Sequence, residues 1–266
     1  MTIVTLTTDF GTRDGYVGEM KGVLATRAPG ARPMDVTHAL PAGDVLAGAW
    51  VLERVWSRFP EGTVHLAVVD PGVGSERRAV AVRALGRWLV APDNGLVTLA
   101  AGPGEVEAVR RLDPGRVALE PLSDTFHGRD LFAPAAARLA AGADPSELGP
   151  ALDPERLVRL ELPAPRREDG WLTGTVRHVD RFGNLITDLP VEALPGDPMA
   201  EIGGYRVRGL SEAFAAVEPG EPVLIRGSGG TLEVCVRGER ASEVLGQGRG
   251  ARVRVRPAGT GGDEGG

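Results

Sequence analysis

The sequence predicts an α/β protein in two parts, an N-terminal α/β domain with a largely parallel sheet and a smaller, barrel-like β domain after it. Three observations predict it. Up to residue 161, short β-branched runs alternate with stretches of helical periodicity, the pattern of a parallel sheet with crossover helices. From residue 171 to 256 the helical pattern stops and short strand-like runs recur, bounded by Gly and Pro. Between them lies LPAPRREDG, residues 162–170, rich in Pro and charge, which reads as a linker.

Residues 2–8 (TIVTLTT) read as a strand, bounded by Asp9 and Gly11. Residues 15–28 read as a helix that ends before Pro29 and Gly30. Residues 44–59 carry the clearest helical pattern. Asp44 can cap it, and Val45, Ala49, Leu52, Trp56 and Phe59 recur at three- and four-residue steps, marking one apolar face. Pro60 stops it. Residues 63–69 (TVHLAVV) form a short buried strand, followed by strand-like runs at 78–84 and 87–91. A helix is expected over 128–141, with an irregularity at Pro134. In the second part, strands are expected at 171–180, 198–207, 222–226, 231–236 and 251–256. Residues 257–266 (PAGTGGDEGG), half of them Gly, read as a disordered tail.

The composition excludes several classes. A net charge of −6 argues against nucleic acid as the main partner. No run approaches the roughly 20 apolar residues of a membrane span, and the N-terminus lacks the charged and apolar regions of a signal peptide. A single cysteine, Cys235, allows no internal disulfide and fits a reducing cytoplasm, the expected location. There is no G-x-S-x-G elbow, no H-E-x-x-H, no Gly-Lys-Ser/Thr phosphate loop and no paired cysteines for zinc.

Four stretches can carry chemistry. In TTDFGTRDGYVG (7–18), Asp9 follows a strand, where ligands of α/β sheets bind, and a carboxylate there suits the two hydroxyls of a ribose. Asp and Gly also simply end strands. In VVDPGVGSERR (68–78), Asp70 ends an apolar run. A Pro/Gly turn follows, and Arg77, seven residues on, can fold back to pair with it; such a partner favours an ionised carboxylate. The same two residues also suit a structural ion pair. In SDTFHGRD (123–130), His127 stands among Asp124, Arg129 and Asp130, whereas His38, His65 and His178 read as ordinary strand or loop residues. In the second part, VDRFGNLITD (179–188) offers Asn184. GSGGTLEVCVRG (227–238) offers Ser228 on a turn that is equally a plain hairpin.

Taken in order, TDFGTRDGYVGEMKG, FPEGTVHLAVVDPGVGSERR, APDNG and TFHGRD resemble the S-adenosylmethionine hydroxide adenosyltransferase family, relatives of the S-adenosylmethionine-dependent fluorinase and chlorinase. FGNLITD and SGGTLEV are similar to the family's C-terminal motifs, so the resemblance spans nearly the whole chain. It implies an α/β domain followed by a β domain, hydrolysis of S-adenosylmethionine to adenosine and L-methionine, and a homotrimer with active sites between subunits. It places Asp70, Arg77 and His127 at the positions of a triad beside the attacking water, and Asp9 at a ribose-binding aspartate. Asn184 and Ser228 match positions at the methionine end, and the segment near Gly238 matches an adenine-contacting backbone. Gly43, Ile186 and Gly229 stand where the fluorinase has two aromatic residues and an arginine.

The resemblance implies no metal and no cofactor, since the sulfonium leaves as a neutral thioether and needs no acid. Three alternatives stay open. A halide transferase is disfavoured by Asp70 and His127, since an extra carboxylate repels an anion. A metal-dependent phosphohydrolase would use Asp9, Asp14, Asp70 and His127. A non-catalytic nucleoside-binding module would bind without turnover.

Overall fold

The computed structural model describes residues 1–259, and the chain divides into two compact units, Met1–Leu160 and the residues from Glu161 on. The first is built on a six-stranded sheet in the order β2-β1-β3-β5-β4-β6. Its strands are β1 (Ile3–Thr8), β2 (Arg32–Thr37), β3 (Val64–Val68), β4 (Ala79–Ala84), β5 (Arg87–Pro92) and β6 (Val106–Arg111). β1 pairs parallel with β2 and β3, and β3 pairs parallel with β5; β4 runs antiparallel to β5 and β6. The sheet is therefore largely parallel, as the alternation predicts.

Side chains alternate between two cores, as the pleat requires. Val4, Leu6, Leu66, Val68 and Val90 face one layer with Met20 and Leu24 of α1 (Tyr16–Arg27) and the small residues of α4 (Ala133–Ala140). Ala67, Val69, Val80, Val82 and Leu89 face the other with Leu52 and Trp56 of α2 (Val45–Trp56). Asp44 caps α2 by accepting the Ala47 N–H at 3.0 Å. A one-turn helix, α3 (Pro114–Val117), follows β6.

β2 and β6, both sheet edges, are strands the periodicity does not reveal. β2 carries Pro33, which lacks a ladder donor and is tolerated at an edge, and neither strand shows a clean alternation. The helix expected at 128–141 begins with a wide π turn over Gly128–Phe132; the irregularity precedes Pro134, which sits in the first turn of α4.

The second unit is a nine-stranded, nearly closed sheet in the order β11-β10-β15-β8-β9-β14-β13-β12, with β7 on β8. The strands are β7 (Arg166–Glu168), β8 (Trp171–Val179), β9 (Leu185–Pro190), β10 (Pro198–Ile202), β11 (Tyr205–Arg208), β12 (Leu210–Ser211), β13 (Pro222–Arg226), β14 (Thr231–Val236) and β15 (Arg252–Pro257). The inward residues of β8, β9, β10, β14 and β15 enclose one core with Ala241 of α5 (Ala241–Val244) and Leu245.

Three sequence expectations change here. The stretch expected as a linker contains β7, an exposed strand paired with β8. The run expected as one strand at 198–207 is a hairpin, β10 and β11, turning on Gly203–Gly204. Pro257, expected in the tail, is the last residue of β15, and residues from 260 on lie outside the described residues. Among the described residues, no helix is long and apolar enough to cross a membrane.

Candidate active site

β1 and β3 are parallel neighbours in register, with Thr8 opposite Val68, so Asp9 and Asp70 leave the sheet at the same edge from adjacent strands. The chain steps from β1 outward to β2, then crosses back to β3, with α1 and α2 on opposite layers. The carboxyl ends of β1 and β3 therefore flank a topological switch point, where an open α/β sheet leaves a crevice for ligands.

The segment after β3 turns back sharply. Val73 N–H donates to the Asp70 carbonyl at 3.2 Å and Ser75 N–H to the Gly72 carbonyl at 3.1 Å. Ser75 Oγ then accepts the Arg77 N–H at 3.2 Å. The turn returns the Arg77 guanidinium to Asp70. Nε donates to Oδ1 at 2.9 Å and to Oδ2 at 3.0 Å, and Nη2 donates to Oδ2. The two side chains are largely buried. Two arginines stand side by side here, and they do different work. Arg78 turns away to the buried Asp93, donating through Nε at 2.7 Å. Asn94, next to it, donates to the Val69 carbonyl at 2.8 Å and so fixes the backbone just before Asp70.

His127 enters from the other side, one residue before the π turn. Its Nδ1 lies 2.7 Å from Arg77 Nη2. A guanidinium only donates, so Nδ1 is the acceptor, and the neutral ring carries its proton on Nε2. Burial first, and then the Arg77 charge, lowers the His127 pKa, which keeps the ring neutral. The loop before it is anchored by Asp130. The buried carboxylate accepts the Ser123 N–H at 3.0 Å and both Nε and Nη2 of Arg129, while the Asp130 carbonyl accepts the Leu119 N–H at 2.7 Å. Gly74 (φ +77°) brings the Asp70 turn against this loop: a Cβ there would stand 2.8 Å from the Asp124 carbonyl oxygen.

Asp70 and His127 line a pocket of about 230 Å³ with Val73 and three aromatic rings, Phe10, Tyr16 and Phe126. The rings meet edge to face, with centroids 5.1 to 6.1 Å apart. The pocket thus sets Asp70 and His127, which Arg77 joins, beside an aromatic wall. These rings were not singled out from the sequence, although Phe10 and Phe126 adjoin two of the residues that were. Asp9 lies beside this site at the end of β1, and its Oδ2 accepts the Gly43 N–H at 2.7 Å. Among the described residues, no three or more His, Cys, Asp or Glu side chains are gathered as metal ligands.

The second unit has a pocket of its own, about 540 Å³, lined by Phe182, Asn184, Phe214, Gly238 and Arg240. Asp180 shapes its rim: Oδ1 accepts the Phe182 and Asn184 N–H groups, both at 2.9 Å, and Oδ2 accepts Asn184 Nδ2 at 2.9 Å. Gly183 has no room for a side chain, since a Cβ would stand 2.6 Å from that of Arg240. Phe182 and Phe214 stay 71% and 45% exposed, unusual for phenylalanine unless a ligand or partner covers them. Asn184 groups with Gly238 and not with Ser228, because β9 pairs antiparallel with β14 and sets Asn184 near the end of that strand. Ser228 sits on the turn at the start of β14, about 20 Å away along six residues of strand.

Known proteins similar to this chain identify its family. Residues 4–149 match the SAM hydroxide adenosyltransferase N-terminal domain, and residues 174–254 match the C-terminal domain. The chain is 47% identical over 255 residues to a curated (R)-S-adenosyl-L-methionine hydrolase of Thermus thermophilus, covering 93% of this chain and 96% of that one. It is 44% identical over 257 residues to the enzyme of the same name from Salinispora tropica, covering 95% and 97%. A fluorinase from an Actinoplanes species is more distant, 32% identical over 213 residues, covering 70% and 71%. A crystal structure of an uncharacterized conserved protein from Thermotoga maritima superposes with a TM-score of 0.88 at 32% identity, covering 96% of this chain and all of that one. With both domains matched in order and full-length relatives at this identity, the chain belongs to the SAM hydroxide adenosyltransferase family.

Proposed function

We propose that this protein hydrolyses S-adenosyl-L-methionine to adenosine and L-methionine, acting in the cytoplasm. The observation that carries the reading is the Asp70–Arg77–His127 group beside a small pocket at the switch point of the sheet. The reaction breaks the bond from the 5′ carbon to the sulfonium and forms a bond from the same carbon to water oxygen. The electron pair goes to sulfur, which leaves as a neutral thioether. One water proton stays on the new 5′ hydroxyl and the other is released. No general acid is needed for the leaving group, and the chemistry asks for no cofactor.

What the reaction needs is a water held in line behind the 5′ carbon. Asp70 Oδ1 accepts one Arg77 N–H while Oδ2 accepts two, so Oδ1 keeps acceptor capacity for that water and its departing proton. His127 Nε2–H donates to the water oxygen from a second direction, because Arg77 occupies Nδ1. Arg77 positions both groups. Holding a nucleophile in line in this way supplies up to roughly 7–11 kcal/mol in favourable cases. Asp9 takes the ribose hydroxyls through Oδ1. Asn184, which the resemblance put at the methionine end with Ser228, shares a pocket with Gly238 and Phe182, so in this reading it holds the adenine with them and Ser228 alone keeps the methionine end. In the proposed homotrimer, each site joins the first unit of one subunit to the second unit of the next. Nucleic acid and membrane have no part in it.

The test is Asp70→Ala. S-adenosylmethionine affinity by calorimetry stays within about threefold of wild type, while turnover falls by two or more orders of magnitude, the loss expected when a general base is removed. Wild-type turnover in the variant would overturn the assignment, and tight binding by a wild-type protein without turnover would make the chain a binding module.

A further inference from the structure

His38 reads from the sequence as an ordinary loop residue, yet it holds the turn that carries Asp9 at both ends. Its ring is buried, and Nδ1 lies 2.8 Å from Thr8 Oγ1. Its backbone carbonyl accepts the Gly11 N–H at 2.7 Å. Asp9 and Phe10 lie between these two anchors. Five residues further along the same loop, the Gly43 N–H donates to Asp9 Oδ2 at 2.7 Å. The loop from His38 to Gly43 thus grips the turn at three points, one of them the carboxylate itself.

The protons in this group can be assigned. His38 Nε2 lies 3.1 Å from Asp35 Oδ1, off the line of a good hydrogen bond but beside an oxygen that only accepts, which favours the imidazole proton on Nε2. Nδ1 then accepts the Thr8 hydroxyl proton, while Thr8 Oγ1 accepts the Phe10 N–H at 3.3 Å. Asp35 is paired in turn with Lys21 at 2.6 Å. Carboxylate, imidazole and hydroxyl in sequence make the constellation of an activated nucleophile. Thr8 cannot serve as one: it is 0% exposed, and its oxygen is occupied by the Phe10 N–H.

We propose that His38, acting through Thr8, is a positioning residue that fixes the Asp9 carboxylate for the ribose hydroxyls. The proposal rests on the reading of Asp9 as the ribose acceptor. It says why a buried histidine sits at the end of β2: the Thr8 hydroxyl needs an acceptor that the sheet does not supply.

The test compares two probes by calorimetry, adenosine and 2′,3′-dideoxyadenosine, which has no hydroxyls for Asp9 to hold. In Asp9→Ala the preference of wild type for adenosine disappears. Thr8→Val keeps the shape but deletes the hydroxyl. It is expected to weaken adenosine about tenfold and leave dideoxyadenosine unchanged, with Thr8→Ser restoring the preference. His38→Leu is expected to repeat the selective loss and serves if Thr8→Val does not fold. Equal weakening of both probes, or of neither, in whichever variant folds would overturn the positioning role, since a merely structural defect does not discriminate between them. If Asp9→Ala keeps the preference, the ribose reading itself fails, an outcome distinct from failure of His38 alone.

Discussion

Replacing Arg77 by lysine keeps the charge and removes the fork. The guanidinium makes contacts no ammonium can reproduce together: Nε spans both Asp70 oxygens, and Nη2 joins Asp70 Oδ2 to His127 Nδ1, while the planar group lies 5.2 Å from the Phe132 ring centre. A lysine reaches one partner. The variant therefore loses at least one hydrogen bond to a carboxylate and the one that orients His127. Hydrogen bonds to charged groups are worth about 1.5–3 kcal/mol each. Allowing for partial replacement by water, a loss of about 3 kcal/mol in the transition state is expected, a fall in kcat of about two orders of magnitude. The assay is steady-state release of adenosine by chromatography, with circular dichroism as the check on folding. A companion variant, Arg77→Met, separates charge from geometry. The Arg77 charge is, after burial, the cause that holds the His127 pKa down, so removing it raises that pKa, read by NMR titration of the imidazole. A folded Arg77→Lys variant with kcat within threefold of wild type would refute the reasoning.

Two further predictions concern the scaffold. His65 is wholly buried, stacked 4.7 Å from Trp56 and bonded to Thr5 at 2.8 Å; burial, and then the Arg87 charge, pushes its pKa down to about 4. The unfolded chain takes up a proton near the ordinary value of 6.5 while the folded chain does not. Stability is therefore full above about pH 6.5 and falls as pH drops toward 4, by up to about 3 kcal/mol from this residue. Urea unfolding at pH 7.5 and 5.0 should show the decline, and a His65→Gln variant should flatten it. Gly74→Ala combines a left-handed backbone with a clash against Asp124, so it is expected to cost about 1–3 kcal/mol and to push the Asp70 turn from His127. A variant with unchanged melting temperature and kcat would contradict that packing.

Much of this was legible in the sequence because local chemistry and tertiary role coincide. The α2 stripe is apolar where the helix meets the sheet, and β1 and β3 are β-branched runs ending in acids at the ligand edge. The edges β2 and β6 were not legible. Each has few buried residues to create a period, and Pro33 argues against a strand until its edge position is known. β9 is buried along almost its whole length, so it lacks the alternation that marks a half-exposed strand. At the site, the seven-residue spacing already pointed to Arg77, and the resemblance assigned the same residue. The turn on Gly72–Ser75 gives the physical reason that Arg77 returns to Asp70 while Arg78 turns to Asp93. Asn184 and Ser228 look like one group in sequence, but only strand pairing reveals that a whole strand separates Ser228 from the Asn184–Gly238 pocket. The aromatic wall was hidden for a simpler reason: Phe126 is remote in sequence from Phe10 and Tyr16, and all three look like core residues until the fold brings them to one pocket.

The central claim is direct attack of water on the 5′ carbon, and one measurement tests it. The purified protein is incubated with S-adenosylmethionine in oxygen-18 water, with chloride and a chelator present, and the products are read by mass spectrometry. The account predicts adenosine carrying the heavy oxygen at the 5′ position, together with unlabelled methionine. Intact substrate after long incubation, 5′-chloro-5′-deoxyadenosine in place of adenosine, or adenosine without the label would contradict it.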